Sequence, residues 1–257
     1  MAAWGAESGH IEVGVQNAVA VVTLRRPDRL NALTAGMRRE LAAILRHFGG
    51  GQVLGIVVTG TGRAFSAGLD LREAAELPPG GLVADVELFH DITRAALQTQ
   101  VPVVAALNGI AVGGAGEMTL CFDARIGTPA AEFFLPENSL GLTISNASSV
   151  LLPRLAGRHA MRLVMESARI GAVEALALGL LDEIVEPAGL IETAIGLVHR
   201  WTPPGSATAA HLRLLRPPLA TVERAMAAEP EAASGPEAAA IAAAGINRFL
   251  SRRDTRS

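Results

Sequence analysis

The chain has 257 residues, of which 50% are hydrophobic and 18% are charged, so it can bury a large core and is not intrinsically disordered. All 22 basic residues are arginines, which excludes a lysine Schiff base and a Walker A loop, and Cys121 is a single cysteine that can form no disulfide within the chain. The net charge of −3 gives no basic surface for nucleic acid.

The composition also argues against a targeting or membrane segment. Residues 1–13 carry Glu7 and Glu12 without a basic region, so they do not resemble a secretory signal. Residues 95–116 are uncharged, but Asn108 and several glycines interrupt them, whereas a bilayer span needs about 20 predominantly apolar residues. We therefore expect a cytoplasmic protein that binds neither a membrane nor a metal.

The first third of the chain contains a predicted hairpin, a helix and a strand. Alternating apolar residues at 11–15 and an apolar run at 19–24 predict the hairpin. Thr34 is a suitable N-cap for a helix that ends at the glycines 49–51. Its apolar face comprises Met37, Leu41, Leu45 and Phe48. A buried strand at 53–59, a glycine-rich turn at 60–68 and a loop at 76–83 follow.

Strand, turn and helix patterns then recur along the chain. They predict a helix at 85–99, a strand at 101–107, a turn at 108–116, a helix at 117–122, strands at 124–127 and 132–135, and a helix at 148–155. Such succession indicates an α/β fold with crossover connections. From residue 202 the chain is rich in alanine, proline and glutamate, so we divide it into a core at 1–201 and a helical C-terminal region at 202–257.

Two glycine-rich turns, at 65–71 and 108–117, each follow a predicted buried strand. Glycine lets the backbone approach a ligand, and the N–H groups at a helix start suit developing negative charge. A purely structural role for these turns remains an equal alternative. Ser66 is not expected to be a nucleophile, because Ala64 stands where the G-x-S-x-G motif needs glycine.

Two glutamates stand in apolar surroundings. Glu117 follows the glycines of the second turn, and Glu137 follows an apolar segment that ends in Pro136. Burial would raise the pKa of either carboxyl group and suit it to proton transfer. The alternative is a solvated glutamate favoured by the dipole at a helix start. Together with two turns that could bind an oxyanion, the pair indicates acid–base catalysis.

Five segments in the same order resemble the enoyl-CoA hydratase/isomerase (crotonase) superfamily, and the likeness is greatest to enoyl-CoA hydratases. The segments are 26–33, 65–71, 108–117, 136–141 and 169–180. The resemblance implies a crotonase-like spiral of repeated ββα units with a C-terminal helical trimerisation region. It also implies an acyl-CoA substrate and a homotrimer or a dimer of trimers.

The same resemblance assigns roles to particular residues. It implies that the N–H groups of Leu69 and Gly114 hold the thioester oxygen, and that Glu117 and Glu137 match the two acids of family hydratases. We expect Gly114 to begin a helix, with no room for a Cβ beside that oxygen. No cofactor is implied, because coenzyme A is part of the substrate. The positions matched to substrate binding are Ala67, Gly68, Leu69, Asp70, Leu71 and Gly114.

Hydration of a trans-2-enoyl-CoA is the activity that this set of residues favours. The alternatives are a Δ3,Δ2-enoyl-CoA isomerase that uses Glu137 alone, a non-catalytic acyl-CoA-binding protein, and a thioester hydrolase or ClpP-like peptidase. A ClpP-like peptidase would need a Ser–His pair, which the sequence does not display. Residues 142–149 depart from the glycine-rich run of many hydratases. The arginines available near the C-terminus for the CoA phosphates are Arg248, Arg252 and Arg253.

Overall fold

The computed structural model describes residues 8–78, 81–232 and 234–254. The chain begins with the predicted hairpin, in which β1 (Ile11–Gln16) pairs antiparallel with β2 (Val19–Leu24). Helix α1 (Ala35–Phe48) follows, and Thr34 caps it by accepting a hydrogen bond from the Met37 N–H at 3.2 Å. Both the hairpin and the N-cap agree with the sequence predictions.

Three consecutive units then repeat the same plan, with two strands followed by one helix or, in the first unit, by two. In each unit the first strand joins a six-stranded sheet and the second strand joins a four-stranded sheet. The first unit contains β3 (Gly55–Gly60), β4 (Ala64–Ser66), the short α2 (Leu71–Ala75) and α3 (Gly81–Gln98). The second contains β5 (Val103–Leu107), β6 (Ile110–Val112) and α4 (Gly114–Thr119), and the third contains β7 (Ala124–Gly127), β8 (Glu132–Phe134) and α5 (Glu137–Leu140).

The remainder of the chain is mainly helical. Its elements are α6 (Ser148–Ala156), α7 (His159–Met165), β9 (Arg169–Gly171), α8 (Ala172–Ala177), β10 (Glu183–Ile184), α9 (Leu190–Trp201), α10 (Thr208–Leu215), α11 (Leu219–Glu231) and α12 (Pro236–Asp254). The two sheets have the orders β1-β2-β3-β5-β7-β10 and β4-β6-β8-β9. Helix α12 packs back on α2 and α5, and a Cβ on Gly245 would lie 1.9 Å from the Leu140 carbonyl oxygen.

The four central strands of the six-stranded sheet, β2, β3, β5 and β7, are buried on both faces, which explains why they consist mainly of apolar residues. Val22 and Val58 point to the larger core with α1 and α3, whereas Val21 and Val57 pack under α9 on the opposite face. Within the described residues, no helix is both long enough and apolar enough to cross a membrane.

Some sequence predictions were wrong in their details. The predicted helix at 117–122 starts too late, because α4 begins at Gly114, which confirms the separate expectation that Gly114 begins a helix. The interval 76–83 is not all loop, because α3 begins at Gly81. Residues 79 and 80 of that interval lie outside the described residues. Four short strands were missed, namely β4, β6, β9 and β10. Two or three residues are too few to show the alternation that identifies a strand.

Candidate active site

The predicted site residues meet at one edge of the four-stranded sheet. Strand β6 pairs in parallel with both β4 and β8, so the carboxyl ends of the three strands lie side by side. The first glycine-rich turn follows β4, the second follows β6, and Glu137 follows β8. The fold therefore brings together three segments that are separate in the sequence.

The first turn is fixed by hydrogen bonds from within the chain. Ser66 Oγ donates to the Asn31 carbonyl at 2.7 Å and accepts the Gly68 N–H at 3.1 Å, which leaves it a structural role. Gly68 has a φ of +79°, and a Cβ there would lie 2.4 Å from the Val112 carbonyl oxygen and 3.4 Å from the Gly114 nitrogen. The two glycine-rich turns are therefore in contact, and only glycine fits where they meet.

Two backbone N–H groups at this contact are available to a ligand. Leu69 bridges to Leu33 through the Gly68 carbonyl and the Asp70 N–H, so its own N–H is not used in the bridge. Gly114 is the first residue of α4, where an N–H has no partner within the helix. Among the described residues, neither N–H donates to a protein acceptor, and both residues are only partly buried.

Asp70 stabilises the first turn. It caps α2 by accepting the Arg72 N–H at 3.0 Å and forms an ion pair with Arg26. Burial alone would raise the pKa of Asp70, but the hydrogen bond and charge of Arg26 outweigh that effect and lower it. The neighbouring residues of the matched set lie on the same turn, with Ala67 donating its N–H to the Leu30 carbonyl and Leu71 beginning α2.

The second turn places its glycines between two side chains. A Cβ on Gly114 would lie 2.8 Å from Cζ of Phe89, so position 114 has no room for a side chain, as predicted, and it is the ring of Phe89 that fills this space. Gly113 has a φ of +51°, and a Cβ there would lie 2.7 Å from Oε1 of Glu137. The carboxyl group of Glu137 therefore packs directly against this turn.

Glu117 and Glu137 are both buried, at 1% and 8% exposure, so the alternative of solvated glutamates at helix starts is wrong. Burial and then the charge of Glu137 raise the pKa of Glu117 well above its ordinary value. Burial raises the pKa of Glu137 to about 7, and among the described residues its Oε2 has no hydrogen-bond partner. The two carboxyl groups thus interact electrostatically and titrate as a pair.

Sequence reasoning missed the residue that holds Glu117. Ser145 donates its N–H to Oε1 at 2.7 Å and its Oγ–H to Oε2 at 2.6 Å. The next residue, Asn146, donates its side-chain amide to the Gly114 carbonyl at 3.4 Å. The only available signal was that polar residues occupy the segment 142–149, where many hydratases have a glycine-rich run.

The three C-terminal arginines that the sequence offers for the CoA phosphates all lie on α12. Arg248 is exposed, whereas the side chains of Arg252 and Arg253 lie outside the described residues. The described part of the chain contains no group of three or more histidine, cysteine, aspartate or glutamate side chains that could hold a metal ion.

Comparison with known proteins gives one consistent result. Residues 14–256 match the family described as enoyl-CoA hydratase/isomerase. The short-chain-enoyl-CoA hydratase of Clostridium acetobutylicum is 34% identical to this chain over 191 residues, which are 73% of each chain. The 1,2-epoxyphenylacetyl-CoA isomerase of Escherichia coli is 33% identical over 72% of this chain and 71% of the isomerase. The enoyl-CoA hydratase structure from Bacillus halodurans has a TM-score of 0.82 and covers 93% of this chain and 99% of its own. At 24% identity, it confirms the predicted spiral fold.

Proposed function

Because this chain belongs to the enoyl-CoA hydratase/isomerase family, we propose that it is an enoyl-CoA hydratase that adds water reversibly to a trans-2-enoyl-CoA thioester. The observation that carries this proposal is the pair of buried, electrostatically interacting glutamates, Glu117 and Glu137, beside the turn that contains Gly114. Family membership alone leaves the reaction open, since one of the relatives is named as an isomerase.

The available N–H groups of Leu69 and Gly114 support an oxyanion hole. When the water oxygen bonds to Cβ, the electron pair of the double bond moves toward the thioester, and negative charge develops on its oxygen. Two fixed backbone donors stabilise that charge, and removing one such donor typically costs about 10²–10³ in rate. We assign the rest of the first turn, residues 67–71, to substrate contact.

The two carboxyl groups supply the proton transfers. One of them, ionised, takes a proton from the attacking water, and the other, protonated, delivers a proton to Cα. Repulsion between two buried carboxylates disfavours the doubly ionised pair, so one proton is retained as the pH rises past the pKa of Glu137, about 7. These steps need no cofactor beyond the coenzyme A of the substrate itself.

One observation favours isomerisation as the second candidate. Ser145 hydrogen-bonds both oxygens of Glu117, whereas Oε2 of Glu137 has no partner among the described residues. Glu137 is therefore the freer base, and in an isomerase it alone would carry a proton between Cγ and Cα of a 3-enoyl thioester. The same oxyanion hole would stabilise the dienolate.

The experiment that tests the proposal compares two substrates with the purified protein. Absorbance of the conjugated thioester should fall with crotonyl-CoA, because hydration removes the double bond. A rise with a 3-enoyl-CoA, and no change with crotonyl-CoA, would refute hydration in favour of isomerisation. No change with either substrate would leave only acyl-CoA binding.

We further propose that the chain assembles as a homotrimer or a dimer of trimers. An apolar surface on α7 and α8 is exposed in the single chain and supports association; it comprises Met161, Met165, Val173 and Leu176. The Arg162–Glu174 ion pair joins these two helices, so the residues form one surface. Light scattering should give a trimer or hexamer mass, and a monomer at micromolar concentration would contradict this.

A further inference from the structure

A glutamate in the C-terminal helical region contacts the segment that holds Glu117. Glu229 lies on α11 and is 5% exposed. Its carboxylate accepts the Ala147 N–H at 2.9 Å through Oε2 and the Ser149 N–H at 2.8 Å through Oε1. These contacts join residues that are 82 and 80 positions apart in the sequence.

The segment that Glu229 contacts has a backbone that needs support. Asn146 and Ala147 are consecutive non-glycine residues in the left-handed region, with φ of 61° and 60°. Such conformations persist only when surrounding contacts hold them. Helix α6 starts at the next residue, and its N-cap, Ala147, has no side chain that could accept an N–H. Glu229 supplies that missing acceptor from another helix.

The segment reaches the candidate active site through one residue. Ser145 precedes the left-handed pair and makes two hydrogen bonds to the Glu117 carboxyl group. We infer that Glu229 is a positioning residue, which holds residues 145–149 so that Ser145 orients Glu117 for catalysis. The catalytic part of this inference rests on the proposed function.

Helix α11 is also anchored to α3, through Glu223. The two carboxylate oxygens of Glu223 accept hydrogen bonds from Arg94 at 2.8 and 3.0 Å. A change at Glu223 therefore weakens one contact between α11 and α3 and leaves the hydrogen bonds of Glu229 to Ala147 and Ser149 in place. Glu223→Gln is the matched control for Glu229→Gln.

The test measures kinetics and amide hydrogen exchange in the full chain. In E229Q the side-chain amide keeps one acceptor oxygen and turns an NH₂ toward the second backbone N–H. We expect kcat for crotonyl-CoA to fall about tenfold or more, with KM within about threefold, because orientation is lost and binding is not. Exchange at residues 145–149 should become faster. E223Q should keep kcat within about twofold and leave this exchange unchanged.

A double variant tests the route through Ser145. If Glu229 acts through Ser145, the losses in S145A and E229Q should be non-additive in the double variant. Wild-type kcat in E229Q, or an equal loss in E223Q, would overturn the inference. Strict additivity would overturn the route through Ser145.

Two further outcomes are also decisive. If E229Q does not fold, E229D replaces it, because its shorter side chain withdraws both oxygens from Ala147 and Ser149; wild-type exchange and kcat in E229D would overturn the inference. If the wild-type protein acts on neither enoyl thioester, the proposed function fails. The structural role of Glu229 is tested independently, because unchanged hydrogen exchange at residues 145–149 in E229Q would overturn it.

Discussion

Burial of Glu137 should impose a measurable pH dependence on the stability of the fold. Its pKa rises from an ordinary 4.5 to about 7, so the folded state binds this proton more tightly than the unfolded state does. The associated stability is fully present below pH 4.5 and is lost as the pH rises through about 7. At roughly 1.4 kcal/mol per pH unit, the loss amounts to about 3 kcal/mol.

Glu137→Gln removes this titration. The difference in unfolding free energy, variant minus wild type, should increase by about 2–3 kcal/mol between pH 5 and pH 8, as measured by urea unfolding at each pH. Loss of the Glu137 charge also removes repulsion from Glu117, which acts in the same direction. Glu166→Gln, at an exposed position, is the control and should show no such trend. A difference that stays constant with pH, or decreases, would refute the argument that Glu137 is held in a desolvated site.

Three other measurements test the site. For the wild type, kcat/KM with crotonyl-CoA should rise through about pH 7, where the Glu117–Glu137 pair loses its first proton. It should fall at higher pH, where the pair loses its second proton. A plateau at high pH would instead support Glu137 as a lone base. Leu69→Pro deletes an N–H that no protein acceptor uses among the described residues, and it should lower kcat by about 10²–10³. L69A keeps the N–H, so its kcat should fall by less than about tenfold. Equal losses of kcat in the two variants would argue against an oxyanion role. Gly68→Ala forces a Cβ against the Val112 carbonyl at a position where φ is positive, so it should lower the unfolding free energy by more than about 1 kcal/mol. Thermal denaturation would detect this loss. An unchanged melting temperature would contradict the close contact of the two turns.

A strand or helix could be predicted from the sequence where its own residues form a clear pattern. Strands such as β3 and β5 were evident because both faces are buried and nearly every residue is apolar. The three-residue strands β4 and β6 have no such pattern, although they position the two glycine-rich turns. The residue pattern alone placed the start of α4 at 117, because glycines, which are poor helix formers, begin the helix; the expectation that Gly114 begins it came with the role that the family resemblance gave to that residue.

The candidate site divides in the same way. Glu117 and Glu137 could be identified from the sequence, since each stands among apolar neighbours and within a recognisable motif. Ser145 could not, because its contact with Glu117 spans 28 residues and depends on the left-handed turn at Asn146. Glu229 is more remote still, and nothing in the alanine-rich sequence around it marks it as different from the exposed Glu231.

The central claim is that two glutamates share the work of hydration, and the hydration rate of Glu117→Gln tests it most directly. Glutamine keeps the shape of the side chain but cannot exchange a proton, so kcat for crotonyl-CoA should fall by about 10²-fold or more while the fold remains intact by circular dichroism. Hydration at a nearly normal rate in E117Q would contradict the claim and leave Glu137 as the single catalytic acid–base group.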